Sequence, residues 1–146
     1  KGMQVALNPS PFNEKLDDVD MTKISIFLLN EVEGKQLTGH TDSQMILNEM
    51  RKRFPKARIV LTLGVDGAIY SDEEHQYFQP SFPVKAVDTT AAGDTFTGYF
   101  LAGLTEGMSI SQTLKMAAKA SSIAVCRPGA VPSIPYRKEV EEAMAE

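Results

Sequence analysis

The chain of 146 residues is long enough for one domain with a single core, and its 42% apolar and 23% charged content is that of an ordinary soluble globular protein. A formal net charge of −4 supplies no global attraction to nucleic acid or to an anionic membrane surface, which argues against both as partners. The single cysteine, Cys126, excludes an internal disulfide framework and a multi-cysteine metal site and suits the reducing cytoplasm, while no apolar run reaches membrane-spanning length.

The chain opens directly in a strand pattern, without an initial methionine, which reads as a piece of a longer protein; processing or a cloning boundary is the alternative. Met3, Val5 and Leu7 alternate with Gln4 and Ala6 before Asn8-Pro9-Ser10-Pro11 breaks the run, predicting a short strand that ends in a turn. The nearly continuous apolar runs Ile24–Leu29 and Arg58–Leu63 predict central parallel strands covered on both faces. Between them, Thr41-Asp42 caps a predicted helix carrying Met45, Ile46, Met50 and Phe54, which Pro55 stops. Gly67–Ser71 and His75–Gln79, linked by Asp72-Glu73-Glu74, predict a hairpin or meander. Phe96, Phe100 and Leu104 then recur every four residues in a helix that Gly107 ends. A second helix from about Ser109 carries a stripe of Leu114, Ala117, Ser121 and Val125. Arg127–Pro135 reads as a loop, and the chain from Arg137 onward as a short, solvated polar helix. Strands separated by helices imply βαβ units with right-handed crossovers, hence an α/β fold.

The stretch VDTTAAGDTF, Val87 to Phe96, sets three residues with almost no side chain before an aspartate at a helix start. Asp94 either caps that helix or stands beside something anionic, because small residues leave backbone N–H groups open where a helix binds anions. A phosphoryl group on those N–H groups, with Asp94 accepting a hydroxyl proton, would make a kinase-like arrangement. Gly93 to Gly98 has P-loop spacing, but Tyr99-Phe100 replace the Lys-Ser/Thr pair and the Walker reading fails. Asn30-Glu31 follows a buried strand, where ligands gather in open sheets; a capping turn before a helix is the alternative. Gly64 and Gly67 read equally as hairpin punctuation, and Asp88 as a turn residue. His40 and His75 lack a second ligand at metal spacing and read as surface histidines. Met45, Met50, Met108 and Met116 read as packing, and the basic run Arg51–Arg58 as solvation of a helix C-terminus.

VDTTAAGDTFTG resembles the second signature of the ribokinase-like (PfkB-type) carbohydrate kinase family. Asn8-Pro9-Ser10-Pro11, Asn30–Glu33, Thr62–Gly67 and the run from Gly129 follow the family's other motifs in order, so the resemblance spans essentially residues 1–146. It implies a Rossmann-like sandwich with ATP and sugar at the C-terminal ends of the strands. It assigns Asp94 as the base that deprotonates a sugar hydroxyl, on ribose or a similar sugar. It assigns the N–H groups of Ala91, Ala92 and Gly93 as the anion hole for the transferring phosphate. Asn30 and Glu33 match the Asn-x-x-Glu motif that organises Mg2+ and phosphate through water, and Asn8, Thr62 and Gly64 match nucleotide-contacting positions. Asp88 and Thr90, with carbonyls of Ala124, Arg127 and Gly129 and with Ser133, would surround a monovalent cation, K+ by its all-oxygen ligation. Ser10, Cys126 and Pro128 depart from the family's usual residues, and Pro128 bears on the direction of the cation-loop carbonyls.

The family's sugar-recognition residues lie mostly in an N-terminal half with a small β lid, and neither has a counterpart here. The resemblance is therefore to the nucleotide-binding, catalytic-base half of a kinase, which alone is expected to phosphorylate nothing. An uncovered strand at Gln4–Leu7 would favour self-association, as a homodimer for example, or leave the chain marginally stable. A non-catalytic nucleotide-binding or interaction module with the same fold is the alternative function.

Overall fold

The computed structural model describes residues 2–145. In chain order these form β1 (Ala6–Leu7), β2 (Ile26–Asn30), α1 (Glu31–Thr38), α2 (Ser43–Arg53), β3 (Arg58–Thr62), β4 (Ala68–Ser71), β5 (Gln76–Gln79), α3 (Ala92–Thr105), α4 (Ile110–Ala124) and α5 (Arg137–Ala145). The strands make one sheet in the order β1-β2-β3-β4-β5. β2 runs parallel to β1 and to β3, with Ala6 opposite Ile26 and the pairs Ile26–Arg58 to Asn30–Thr62 in register. β4 and β5 are neighbours joined by a turn in which the Asp72 N–H donates to the His75 carbonyl at 2.9 Å, a hairpin on a mixed sheet. The fold is the α/β class expected.

The apolar runs explain why β2 and β3 sit at the centre. Phe27, Leu29, Ile59 and Leu61 join Ile46, Leu47 and Met50 of α2 in one core cluster. Ile26, Leu28 and Val60, which alternate onto the other face, are equally buried. Each such side chain contributes about 1.5–3 kcal/mol on burial. α2 follows its sequence signals: Asp42 accepts the Met45 N–H at 2.9 Å as N-cap, and the helix closes at Phe54 before Pro55. Met45 itself is half-exposed, so the packing face is Ile46, Leu47 and Met50.

Three elements differ from expectation. The first strand shrinks to Ala6–Leu7, because the Val5 carbonyl accepts from both Ser25 and Ile26 N–H groups and so interrupts the regular ladder. α1 was expected only as the alternative at Asn30, a capping turn before a helix: its buried residues are Glu33, Gly34 and Thr38, and no apolar stripe announces it. α5 is more than a solvated helix, since Val140 is fully buried against Met116 and Ala120 of α4.

The chain divides into two compact units. One comprises the residues up to Gly64 with Ile69–Phe78 and holds nearly all of the sheet with α1 and α2; the other comprises Val65–Ala68 and the chain from Gln79 onward, with α3, α4 and α5. Within the second unit Gly67 is fixed by its surroundings. Its φ is +121°, and a Cβ there would lie 2.1 Å from the Gln79 carbonyl oxygen and 2.8 Å from Pro80 Cα. Gly67→Ala should therefore lower the unfolding free energy by about 3 kcal/mol, read as a fall in the urea midpoint. An unchanged midpoint would show that the 65–68 and 79–81 segments do not meet as described.

Candidate functional site

In the first unit the strand ends collect the polar residues. Asn30 closes β2 and Thr62 closes β3, and the parallel register sets them opposite one another. Asn8 follows β1, exposed, with its side-chain oxygen accepting the Ser10 N–H at 3.2 Å. Gly64, at φ +56°, opens a 3-10 turn, Gly64–Asp66, after β3. Three consecutive parallel strands thus deliver Asn8, Asn30, Thr62 and Gly64 at their C-terminal ends, the edge where open α/β sheets bind ligands.

Asn30 and Glu33 form a full capping box at the start of α1. The Asn30 side chain accepts the Glu33 N–H at 3.0 Å, and the Glu33 carboxylate accepts the Asn30 N–H at 2.9 Å and its Nδ2–H at 3.2 Å. Glu33 is buried while Asn30 is exposed. The capping alternative is thus realised for this pair. It also locks the orientation of both side chains at the end of β2.

In the second unit α3 begins differently. Ala91 is its N-cap, with no side-chain cap hydrogen bond, so Asp94 in the first turn does not cap the helix. The Thr95 N–H donates to the Ala91 carbonyl at 2.9 Å and the Ala92 N–H to the Thr89 carbonyl at 3.2 Å. Among the described residues no acceptor takes the N–H groups of Ala91, Gly93 or Asp94. Gly93 and Asp94 are exposed. Gly93 lacks a positive φ, and a Cβ added to it would meet nothing within 4 Å. Neither conformation nor packing demands glycine there, although it costs a helix up to about 1 kcal/mol against alanine. The open space lies where the helix dipole and unpaired donors favour an anion.

Upstream of α3, Asp88 ties two segments together. Its Oδ1 accepts from the Thr90 N–H at 2.9 Å and the Thr90 hydroxyl at 2.5 Å, and its Oδ2 from the Gly129 N–H at 2.9 Å. The Thr90 hydroxyl, the Thr90 N–H and the Gly129 N–H, in that order, hold the Asp88 carboxyl below its ordinary value of 3.8.

The sequence matches the profile of the pfkB family carbohydrate kinases over residues 1–137. The chain belongs to the pfkB family. It is 35% identical to a ribokinase of Lactococcus lactis over 145 residues, 99% of this chain and 46% of that protein. With a Bacillus subtilis ribokinase the identity is 36% over 142 residues, 97% of this chain and 46% of the relative. The fold matches an Arabidopsis thaliana ribokinase complexed with ribose and ATP at a TM-score of 0.85 and 32% identity, covering 99% of this chain and 48% of that one. A Cryptococcus neoformans ribokinase in complex with ADP aligns at a TM-score of 0.86 and 28% identity, over 97% and 51% of the two chains. The pfkB chain described here thus spans about half the length of the relatives it matches.

The pfkB motifs fall into three places. Asn8, Asn30, Glu33, Thr62 and Gly64 gather at strand ends in one unit. Ala91, Ala92, Gly93 and Asp94 form the first turn of α3 in the other, where the Ala92 N–H, engaged with Thr89, is the one expected anion-hole donor already in use. Of the expected cation set, hydrogen bonds join Asp88, Thr90 and Gly129. Two of the others have further engagements: the Ala124 carbonyl accepts the Arg127 N–H and the Ser133 hydroxyl donates to the Ala130 carbonyl, while the Arg127 guanidinium, apart from its expected carbonyl, pairs with Glu139. Sequence reasoning missed Glu139, whose other oxygen accepts the Tyr136 N–H, and the Tyr99 hydroxyl, which donates to the Pro135 carbonyl. Both fasten the loop after α4, and only spacing in the folded chain reveals them.

No group of three or more His, Cys, Asp or Glu side chains that could cage a metal exists among the described residues, and no helix among them is long and apolar enough to cross a membrane. The Asp88 links should be visible in the acid limb of stability. Because its folded value is depressed, the stabilisation is present above the ordinary value of 3.8 and is lost as pH falls through the lower folded value. Asp88→Asn should lower Tm at pH 7, with the difference closing in acid once the carboxyl is protonated in both states. A gap that persists unchanged into strong acid would remove the charge of Asp88 as its cause.

Proposed function

We propose that this chain is the base-carrying, nucleotide-binding part of an ATP-dependent sugar kinase. The observation that carries the reading is the uncapped start of α3, with unpaired N–H donors beside the exposed Asp94 carboxylate. Asp94 accepts the proton of the attacking sugar hydroxyl. That oxygen bonds to the terminal phosphorus of ATP, the bond from phosphorus to the bridging oxygen breaks, and ADP leaves with the electron pair. The N–H groups of Ala91, Gly93 and Asp94 donate to the charge developing on the transferring oxygens, which is worth most where the donors are fixed beforehand. The Arabidopsis relative, described with ribose and ATP, supports ribose or a similar sugar as the acceptor. The reaction belongs to the whole protein, and the 146-residue chain alone is expected to turn over no sugar.

Asn8, Thr62 and Gly64 are the nucleotide-side residues in this reading, and the single cysteine accords with a cytoplasmic place of work. Asn30 and Glu33 fit Mg2+ only through water, since both Glu33 oxygens already accept N–H groups and no acidic cluster is present among the described residues. Mg2+ would supply charge neutralisation on the phosphates. For K+, the oxygen-only set around Asp88 and Gly129 suits a monovalent cation, which would stiffen the segment leading into α3.

In the intact protein, Asp94→Asn should lower turnover by about 10²–10⁴-fold with ATP affinity nearly unchanged. Unchanged turnover would sink Asp94 as the base and favour a binding module instead. Glu33→Gln keeps one oxygen for the Asn30 N–H while removing the charge and the acceptor of the Asn30 Nδ2–H. It should lower Tm by a few °C and raise the Mg2+ concentration needed for half-maximal rate. An unaltered Mg2+ dependence would reduce Glu33 to a cap.

A further inference from the structure

α3 starts with no side chain of its own to hold it. Ala91 and Ala92 have only methyl groups, Gly93 has none, and Asp94 makes no cap. Uncapped first turns fray, whereas donors aimed at a transition state must stay within tenths of an ångström. One side-chain hydrogen bond from another element reaches this turn among the described residues. The Ser121 hydroxyl, on the facing helix α4, donates to the Ala92 carbonyl at 3.1 Å across 29 residues of sequence. Ser121 lies in the part of α4 whose small residues, Ala117, Ala118, Ala120 and Ala124, are buried. One turn further on, the Val125 carbonyl accepts the Val87 and Asp88 N–H groups at 2.7 and 3.1 Å, so α4 grips the approach to α3 as well as its start.

We propose that Ser121 is a positioning residue for phosphoryl transfer, its hydroxyl fixing the first turn of α3 and thereby the Gly93 and Asp94 donors and the Asp94 carboxylate. This rests on the reading that the first turn of α3 receives the transferring group. The hydroxyl touches neither substrate nor the reacting atoms. It acts through the Ala92 peptide, one residue from Gly93.

Ser122 is a built-in control. It is more buried than Ser121, and its hydroxyl donates to the Lys119 carbonyl within its own helix at 2.7 Å, so its removal costs a comparable hydrogen bond without touching α3. In the intact protein, Ser121→Ala should lower kcat about 10–100-fold, leave KM for ATP and sugar within about twofold, and speed amide exchange at Ala92 and Thr95, whose N–H groups are bonded to the Thr89 and Ala91 carbonyls. Ser121→Thr, which keeps the hydroxyl, should recover most of the loss, and Ser122→Ala should change neither kcat nor exchange at those two amides. Equal behaviour of Ser121→Ala and Ser122→Ala in both readouts, while Asp94→Asn still lowers turnover as expected, would overturn the proposal and leave the kinase reading standing. If Asp94→Asn leaves turnover unchanged, the kinase reading falls and this role for Ser121 falls with it. Faster exchange without a fall in kcat would likewise reduce Ser121 to a structural tether.

Discussion

The parallel pairing of β2 with β3 is the constraint on which the strand-end cluster depends. A parallel pair cannot be closed by a tight turn, so the chain between Asn30 and Arg58 must cross back, and α1 and α2 fill that crossover. Their burial against Phe27, Leu29, Ile59 and Leu61 is what makes the pairing stable. A slip of one residue would turn that apolar set away from α2, so the register is strongly specified. The same register that buries Leu29 beside Leu61 sets Asn30 beside Thr62. Core packing and site geometry are one constraint, read at successive residues of the same two strands.

The helices α1 and α3 resolve their starts in opposite ways. At α1 the first-turn donors are met locally, by a reciprocal box in which Asn30 and Glu33 satisfy each other's backbone. At α3 the corresponding groups are left open, a choice that costs about 0.5–2 kcal/mol relative to a good N-cap. The fold offsets this from outside the helix: Ser121 binds the Ala92 carbonyl, Ala91 is buried, and the Asp88 turn is bound to Gly129 and Val125. A helix end that breaks the capping rule yet is supported from three directions is the local inconsistency expected where function, not stability, selects the residues.

What could be read from the sequence follows the range of the forces involved. The runs Ile24–Leu29 and Arg58–Leu63, the Asp42 cap with its Pro55 stop, and the turn at Asp72–His75 are local patterns, and each emerged within a residue or two. α1 was legible only as the capping alternative at Asn30, because its stability comes from polar capping at the Asn-x-x-Glu spacing and not from an apolar stripe. The small residues before Asp94 marked the turn as unusual, since nothing local explained them. Ser121 was legible only as a member of the α4 stripe; its bond to Ala92 depends on how α3 and α4 pack. Val140 was likewise hidden in a run of glutamates, because one buried residue in a polar helix leaves no periodic signal.

The charge of the chain bears on how a phosphate could be held at all. The protein is acidic, and VDTTAAGDTF contains two aspartates and no lysine or arginine. Attraction by side-chain cations is therefore not available within the motif itself, in contrast to sites built on a P-loop lysine. What remains is the peptide group: unpaired N–H donors and the dipole of a 14-residue helix, whose partial charges act within the first turn and fall off beyond it. Such donors are directional and carry no net charge, so their value depends on placement far more than a lysine's would. In the proposed kinase reading, that dependence makes the supports of α3 matter as much as its first-turn residues.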